Sequence, residues 1–279
     1  MAVQQPRVTL NDGTSIPQLG FGVWQVPPDV TQRVVGEAIA AGYRSIDTAE
    51  GYDNEQGVGD AIREAGVARA DLYITSKLRN GSHVRDKALK AFDETMDKLK
   101  IDQLDLFLIH WPVPAQNNYV EAWKTLVELQ KSGRIKSIGV SNFDQNHLEE
   151  IIEATGVVPV VNQIELHPFY QQRDKVEFHQ KHKIIIESWS PLGQGSALSN
   201  PVITRVAEKH GKTPAQAIIR WHLDEGRIVI PKSVTKSRIV ENFDMFNFKL
   251  DSDDIAQLAK LDDANGKIGP KPVDGNFLF

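Results

Sequence analysis

Four residues of this 279-residue chain, Asp47, Tyr52, Lys77 and His110, have the types needed to hand a proton to a carbonyl oxygen. A tyrosine with its ordinary pKa of about 10 is a poor acid or base at neutral pH. A lysine cation beside it favours the phenolate and lowers that value. The lysine must then stay charged in a partly buried place, and a carboxylate such as Asp47 does this. A histidine beside them can hydrogen-bond a substrate oxygen. Such a set suits a carbonyl turning into an alkoxide, with general-acid help and electrostatic stabilisation. It is not a serine–histidine–acid arrangement, which needs its own oxyanion donors. Taken singly each residue has a plainer explanation. Asp47 is a common helix cap, Lys77 a solvated lysine, His110 a hydrogen-bonded core histidine, and Tyr52 a surface aromatic. The functional reading therefore depends on whether the fold brings the four together.

The elements that must position them follow from hydrophobic pattern. The chain opens on a hairpin, Arg7–Leu10 and Ser15–Ile16, around the turn Asn11-Asp12-Gly13. Apolar runs then alternate with stretches of helical period. The runs are Leu19–Val23, Ser45–Thr48, Leu72–Ser76, Leu104–Ile109, Ile135–Val140, Val160–Ile164, Ile184–Glu187 and Ile228–Ile230. Helical stretches begin near Asp29, Asn54, Arg85, Tyr119, Gln145, Arg173, Thr213 and Lys236. Continuous apolar runs suit strands buried on both faces of a parallel sheet. Eight strand–helix units in this length predict an α/β fold, a (β/α)8 TIM barrel, with the N-terminal hairpin and two extra helices at Pro201–His210 and Ser252–Leu261. No linker divides residues 1–279, so a single barrel domain is expected. The stretch Gly269–Phe279 reads as irregular.

In such a barrel function gathers at the C-terminal ends of the strands. There stand Trp24, Asp47, Tyr52, Lys77, His110-Trp111, Ser141-Asn142, Gln163, Glu165, Trp189-Ser190 and Lys232-Ser233. A Rossmann fingerprint is absent. Gly20 and Gly22 begin one, but Gln25 stands at the third glycine and Pro27-Pro28 follow; Gly57 and Gly59 lead to Ile62.

Composition narrows the classes. Hydrophobic residues make up 41% and charged residues 25%, ordinary for a globular chain. There is no cysteine, which excludes disulfides, a thiolate nucleophile and cysteine-held metal clusters. The net charge of −5 comes with no basic run, so nucleic acid is not an expected partner. No apolar stretch approaches the roughly 20 residues that span a bilayer, and Met1–Leu10 lacks a signal-peptide core. A cytoplasmic protein is expected, with no membrane partner.

The motifs around these residues resemble the aldo-keto reductases. Gly42-Tyr43-Arg44-Ser45-Ile46-Asp47-Thr48-Ala49 with Tyr52, Asn54-Glu55 and Gly59 is similar to the family's first signature. Leu108-Ile109-His110-Trp111-Pro112 and Gly139-Val140-Ser141-Asn142-Phe143 are similar to two more. Ile230-Pro231-Lys232-Ser233-Val234-Thr235, with Arg238 and Glu241-Asn242, resembles the cofactor signature. The short length and Val161-Asn162-Gln163-Ile164-Glu165-Leu166-His167-Pro168 resemble bacterial members of the 2,5-diketo-D-gluconate reductase type.

The resemblance implies an enzyme reducing aldehydes and ketones to alcohols with NADPH, keto-sugar acids such as 2,5-diketo-D-gluconate included, and a monomer. It implies Tyr52 as general acid, Lys77 held by Asp47 as its tuner, and His110 as the group orienting the carbonyl. It assigns Ser141, Asn142 and Gln163 to the carboxamide and Trp189 to the nicotinamide face, with Ser190 and Leu192 beside the cofactor. Lys232, Ser233 and Arg238 would hold the 2′-phosphate, with Val234 also on the cofactor, and Glu241 and Asn242 would reach the adenine. A phosphate suits a lysine point charge and an arginine fork, so NADPH is expected over NADH. Trp24 and Trp111 would line the substrate pocket. Arg79 departs from the tryptophan found in many relatives; it is either a cation for an acidic substrate or a solvated arginine. Gln194–Asn200 is short where longer members cover the cofactor. Two other classes are a non-catalytic NADPH-binding regulatory module, and a metal-dependent hydrolase using Asp47, His110, Glu165 and His167. The second lacks HxH or HExxH spacing; the expectation is no metal.

Overall fold

The computed structural model describes residues 5–271. The opening turn folds as its residues dictate: Gly13 adopts φ +85°, and Asp12 Oδ1 accepts the Thr14 amide at 2.9 Å. This pairs β1 (Arg7–Thr9) with β2 (Ser15–Pro17), antiparallel, with Val8 opposite Ile16.

Eight parallel strands follow: β3 (Phe21–Gly22), β4 (Ser45–Asp47), β5 (Tyr73–Leu78), β6 (Leu104–Ile109), β7 (Ile135–Ser141), β8 (Val161–Glu165), β9 (Ile185–Trp189) and β10 (Ile228–Val229). They lie in sequence order, and every residue of β5 and β6 is buried. The sheet closes on itself where Leu19 bridges Val229, with the Gly20 amide donating to Val229 O at 2.9 Å and the Gly22 amide to Pro231 O at 3.2 Å. A Cβ on Gly20 would stand 2.9 Å from Ile230 Cγ2, and one on Gly22 3.0 Å from Ile230 O. The two glycines that begin an incomplete nucleotide motif therefore serve the closing seam of the barrel.

The expected runs Leu19–Val23 and Ile228–Ile230 each yield only two residues of regular strand. Pro231 has no amide to continue a ladder. The other strands match their runs within a few residues.

The helices are α1 (Pro28–Ala41), α2 (Glu55–Glu64), α3 (Arg85–Leu99), α4 (Tyr119–Lys131), α5 (Gln145–Thr155), α6 (Arg173–His182), α7 (Pro201–Lys209), α8 (Pro214–Asp224), α9 (Lys236–Phe243) and α10 (Ser252–Ala259). α7 and α10 are the two additions to the eight-fold pattern. Local chemistry starts several of them. Asn200 caps α7 by accepting the amides of Val202 and Ile203, and Thr213 with Gln216 forms a capping box ahead of α8. In both, proline takes the first helical position, where its missing amide costs nothing.

The hairpin covers the N-terminal end of the barrel. Leu10 and Ile16 join Tyr73, Leu106, Leu108, Val161 and Ile228 in one buried cluster. Ser137 Oγ donates to Asp12 Oδ2 at 2.6 Å and locks the hairpin to β7. Among the described residues, no such hairpin covers the opposite end, where a cavity opens. Residues 272–279 of the segment expected to be irregular lie outside the described residues.

Candidate active site

Asp47 ends β4, Lys77 lies in β5, His110 follows β6, and Tyr52 closes a short 3-10 turn, Glu50–Tyr52. The strand ends bring the four together at the open end. Lys77 Nζ donates to Asp47 Oδ1 at 2.7 Å and to Thr48 O at 2.9 Å, and it lies 3.3 Å from the Tyr52 hydroxyl. The Tyr52 and His110 rings meet edge to face, centroids 5.6 Å apart.

Burial sets the proton positions. Lys77 is fully buried, which pushes its pKa down, but Asp47 and Tyr52 outweigh this and leave it raised. It stays a cation. His110 is held well below the ordinary histidine value, first by burial and then by the Lys77 charge, and is neutral. Tyr52 keeps partial exposure as a residue, but its hydroxyl end is surrounded by protein. Its pKa is raised, not lowered: burial dominates, and Lys77 only limits the rise. The expectation of a net lowering by lysine is corrected on this point, because that argument left out desolvation.

Beyond the four, a chain of hydrogen bonds fixes the neighbouring polar groups. Gln163 Nε2 donates to Asp47 Oδ2 and to Glu187 Oε2, both at 2.8 Å. Ser141 Oγ donates to Gln163 O at 2.8 Å, Asn142 Nδ2 to His110 O at 3.1 Å, and Trp189 Nε1 to Asn142 Oδ1 at 2.8 Å. Asn142 and Ser190 hold left-handed backbone at φ 61° and 47°, and Val113 does so at 45°. Such strain collects at functional sites, and a β-branched residue there is rarer still.

These residues surround a cavity of about 470 Å3. Asp47, Tyr52 and His110 line it, with Trp24 and Trp111 as apolar walls and Trp189, Ser190 and Lys232 further round. Other sequence-assigned residues lie outside its lining. Leu192 packs on the core. Ser233 is buried and accepts the Thr235 amide at 3.1 Å, while Val234 and Arg238 face solvent. Glu241 accepts from Thr213 Oγ1 at 2.9 Å, and Asn242 is buried on α9. Arg79 does not reach the cavity. Its guanidinium lies 3.6 Å from Glu50, whose carboxylate also takes the Arg79 amide at 3.1 Å.

Two carboxylates carry more structure than the sequence suggested. Glu165 accepts from His167, Lys267 and the amides of Ile268 and Gly269, and so ties residues 267–269 across the cavity rim. Burial pushes its pKa up, but these donors hold it at about 2. Glu165 is thus engaged with the rim, and the described residues hold no group of three or more His, Asp or Glu side chains placed to bind a metal. Glu187 is completely buried inside the barrel. Its signal was a single charge ending the run Ile184–Glu187.

The sequence model of the Aldo/keto reductase family matches residues 17–263. The chain belongs to this family. The methylglyoxal reductase DkgA of Escherichia coli is 53% identical over 267 residues, covering 95% of this chain and 96% of that one. A mutant of Gox0644, solved in complex with NADPH, shares 52% identity and a TM-score of 0.95, covering 98% of this chain and 100% of that one. A putative 2,5-diketo-D-gluconic acid reductase B shares 31% identity and a TM-score of 0.90, covering 95% and 94%. An aldo/keto reductase barrel thus carries the open end described above. The finer assignment to the diketogluconate type does not follow, because the relatives' names divide between substrates.

Proposed function

We propose that the chain reduces aldehydes and ketones to alcohols with NADPH, and that small neutral dicarbonyls such as methylglyoxal are better substrates than keto-sugar acids. The observation carrying the chemistry is the Asp47–Lys77–Tyr52 line beside a neutral His110 in one cavity.

The residues fit the cofactor. Thr235 makes no side-chain cap at the start of α9, so first-turn amides remain open to a phosphate beside the exposed Lys232 and Arg238. At the other end Trp189, Ser141, Asn142 and Gln163 line the cavity, held in place by their mutual hydrogen bonds, where the nicotinamide would lie. When bound, NADPH supplies a hydride. The chain's own residues do the rest. His110, neutral, orients the carbonyl oxygen by a hydrogen bond. Tyr52 holds its proton at neutral pH and gives it to that oxygen. Lys77 stabilises the phenolate left behind, and Asp47 keeps Lys77 charged. Trp24 and Trp111 exclude water from the reacting face.

The substrate preference rests on charge. A keto-sugar acid brings a carboxylate into a cavity walled by tryptophan, and Arg79, one candidate cation for it, is turned to Glu50. Nothing in the site favours a binding-only module. NADPH oxidation with methylglyoxal, an aromatic aldehyde and 2,5-diketo-D-gluconate tests the reading. The expected result is turnover of all three, with the lowest kcat/KM for the sugar acid. NADPH binding with no turnover of any carbonyl would overturn it.

A further inference from the structure

Glu187 lies where the mechanism above has no use for it. It sits in β9, in register with Gln163 of β8, and has no exposed surface. Its Oε2 takes one hydrogen of the Gln163 amide, whose nitrogen also donates to Asp47 Oδ2 at 2.8 Å. Its Oε1 has no hydrogen-bond partner. The Gln163 amide therefore joins two buried carboxyl groups, and only one of them, Asp47, has a cation, at 2.7 Å.

We propose that Glu187 is a positioning residue that sets the charge of the barrel interior: neutral, it leaves the Lys77–Asp47 pair balanced so that Tyr52 can give up its proton, and ionised, it holds that proton on Tyr52. The inference rests on the reading of Tyr52 as the acid. Two carboxylates in one water-poor site do not both ionise readily, and the partner without a cation keeps the proton. Burial first and the Asp47 charge second push Glu187 well above the usual carboxylate range, against the weaker pull of Gln163 and Lys77. The groups facing it are Asp47 on β4, Tyr52 after it, and Tyr73 and Lys77 on β5. Asp105 on β6 is committed to Arg69 and Lys136. With Glu187 neutral the sum over Lys77, Asp47, His110 and Tyr52 is zero. Proton transfer then breaks the Tyr52 O–H bond, forms the product O–H bond and leaves the group of side chains with a net charge of −1. With Glu187 ionised the same step leaves a net charge of −2.

The test is the pH profile of the chemical step, read in single turnover with saturating NADPH and methylglyoxal. In the wild-type enzyme the rate should fall on the alkaline side, approaching about tenfold per pH unit for one ionisation, before Tyr52 itself titrates. Glu187→Gln preserves an acceptor for Gln163 and cannot ionise, so this limb should vanish; Glu187→Asp should restore it. A merely structural role predicts a Glu187→Gln profile superimposable on the wild type, which would overturn the proposal. The infrared band of a protonated carboxyl in the wild-type holoenzyme at neutral pH, assigned with glutamate isotope labelling, reads the same claim even if the variants do not fold. Its absence would also overturn the proposal. Neither outcome bears on whether Tyr52 is the acid, which Tyr52→Phe tests separately.

Discussion

The two ends of the barrel are built from the same strands and to opposite purposes. At the N-terminal end the hairpin lays Leu10 and Ile16 over Leu106, Leu108 and Ile228, all apolar side chains. At the C-terminal end the barrel strands carry Asp47, Lys77, His110 and Glu165 at or next to their last residues, and Val113, Asn142 and Ser190 accept left-handed backbone. One end gains stability from burial. The other spends part of it holding a buried ion pair and strained turns around a cavity. β5 shows both in six residues, with Tyr73 in the apolar floor and Lys77 in the site.

Substitutions should separate the two ends. The largest effect is expected from Lys77→Met, which removes the phenolate's cation and leaves Asp47 buried without its partner. Turnover should fall by about 10³-fold, and urea unfolding should show a loss of about 3–5 kcal/mol. A large loss of turnover with unchanged stability would mean that Asp47 finds another partner.

Ile16→Ala, in the floor, should cost about 2–5 kcal/mol of stability and leave kcat as it is. A fall in kcat would break the division between the ends.

How much of this division could be read beforehand depends on where the physics acts. The barrel was legible because buried strands and amphipathic helices write their periods into the chain. Asp47, Lys77 and His110 were legible because they stand at strand ends, and Tyr52 because it sits on the turn that follows one of them. Two facts were hidden. Arg79 turns to Glu50, and side-chain direction across two loops leaves no trace in spacing. Glu187 ends an apolar run and reads as the edge of a strand, although the register of β9 against β8 places it inside the barrel. The sign of the Tyr52 shift was hidden for a related reason, since desolvation depends on everything packed around a hydroxyl.

A smaller effect belongs to the cofactor end of the mouth. Lys232→Ala and Arg238→Ala should each weaken NADPH by about 1.5–3 kcal/mol, the usual worth of a charged hydrogen bond, and change NADH little. Isothermal titration with both cofactors checks this, and equal losses for the two would remove these residues from the 2′-phosphate.

The smallest effect concerns acid stability away from both ends. Burial lowers the pKa of His179 from 6.5 to about 4, against the bond of its Nδ1 to Lys175 O at 2.6 Å, which favours the cation; its Nε2 lies 2.8 Å from Asn162 Nδ2. The unfolded chain binds this proton first. Its contribution is therefore complete above pH 6.5 and is lost as pH falls from 6.5 towards 4. Replacing it by glutamine should flatten the fall in urea stability across that window by up to about 1.4 kcal/mol per pH unit. An unchanged slope would contradict a neutral buried His179.

The central claim, that the open end is a reductive site with Tyr52 as its acid, is tested most directly by Tyr52→Phe. NADPH binding and methylglyoxal-dependent NADPH oxidation should be measured on the same preparation. The account predicts binding close to wild type and turnover lower by about 10²–10⁴-fold, the usual worth of a positioned acid. Binding and turnover both near wild type would contradict it.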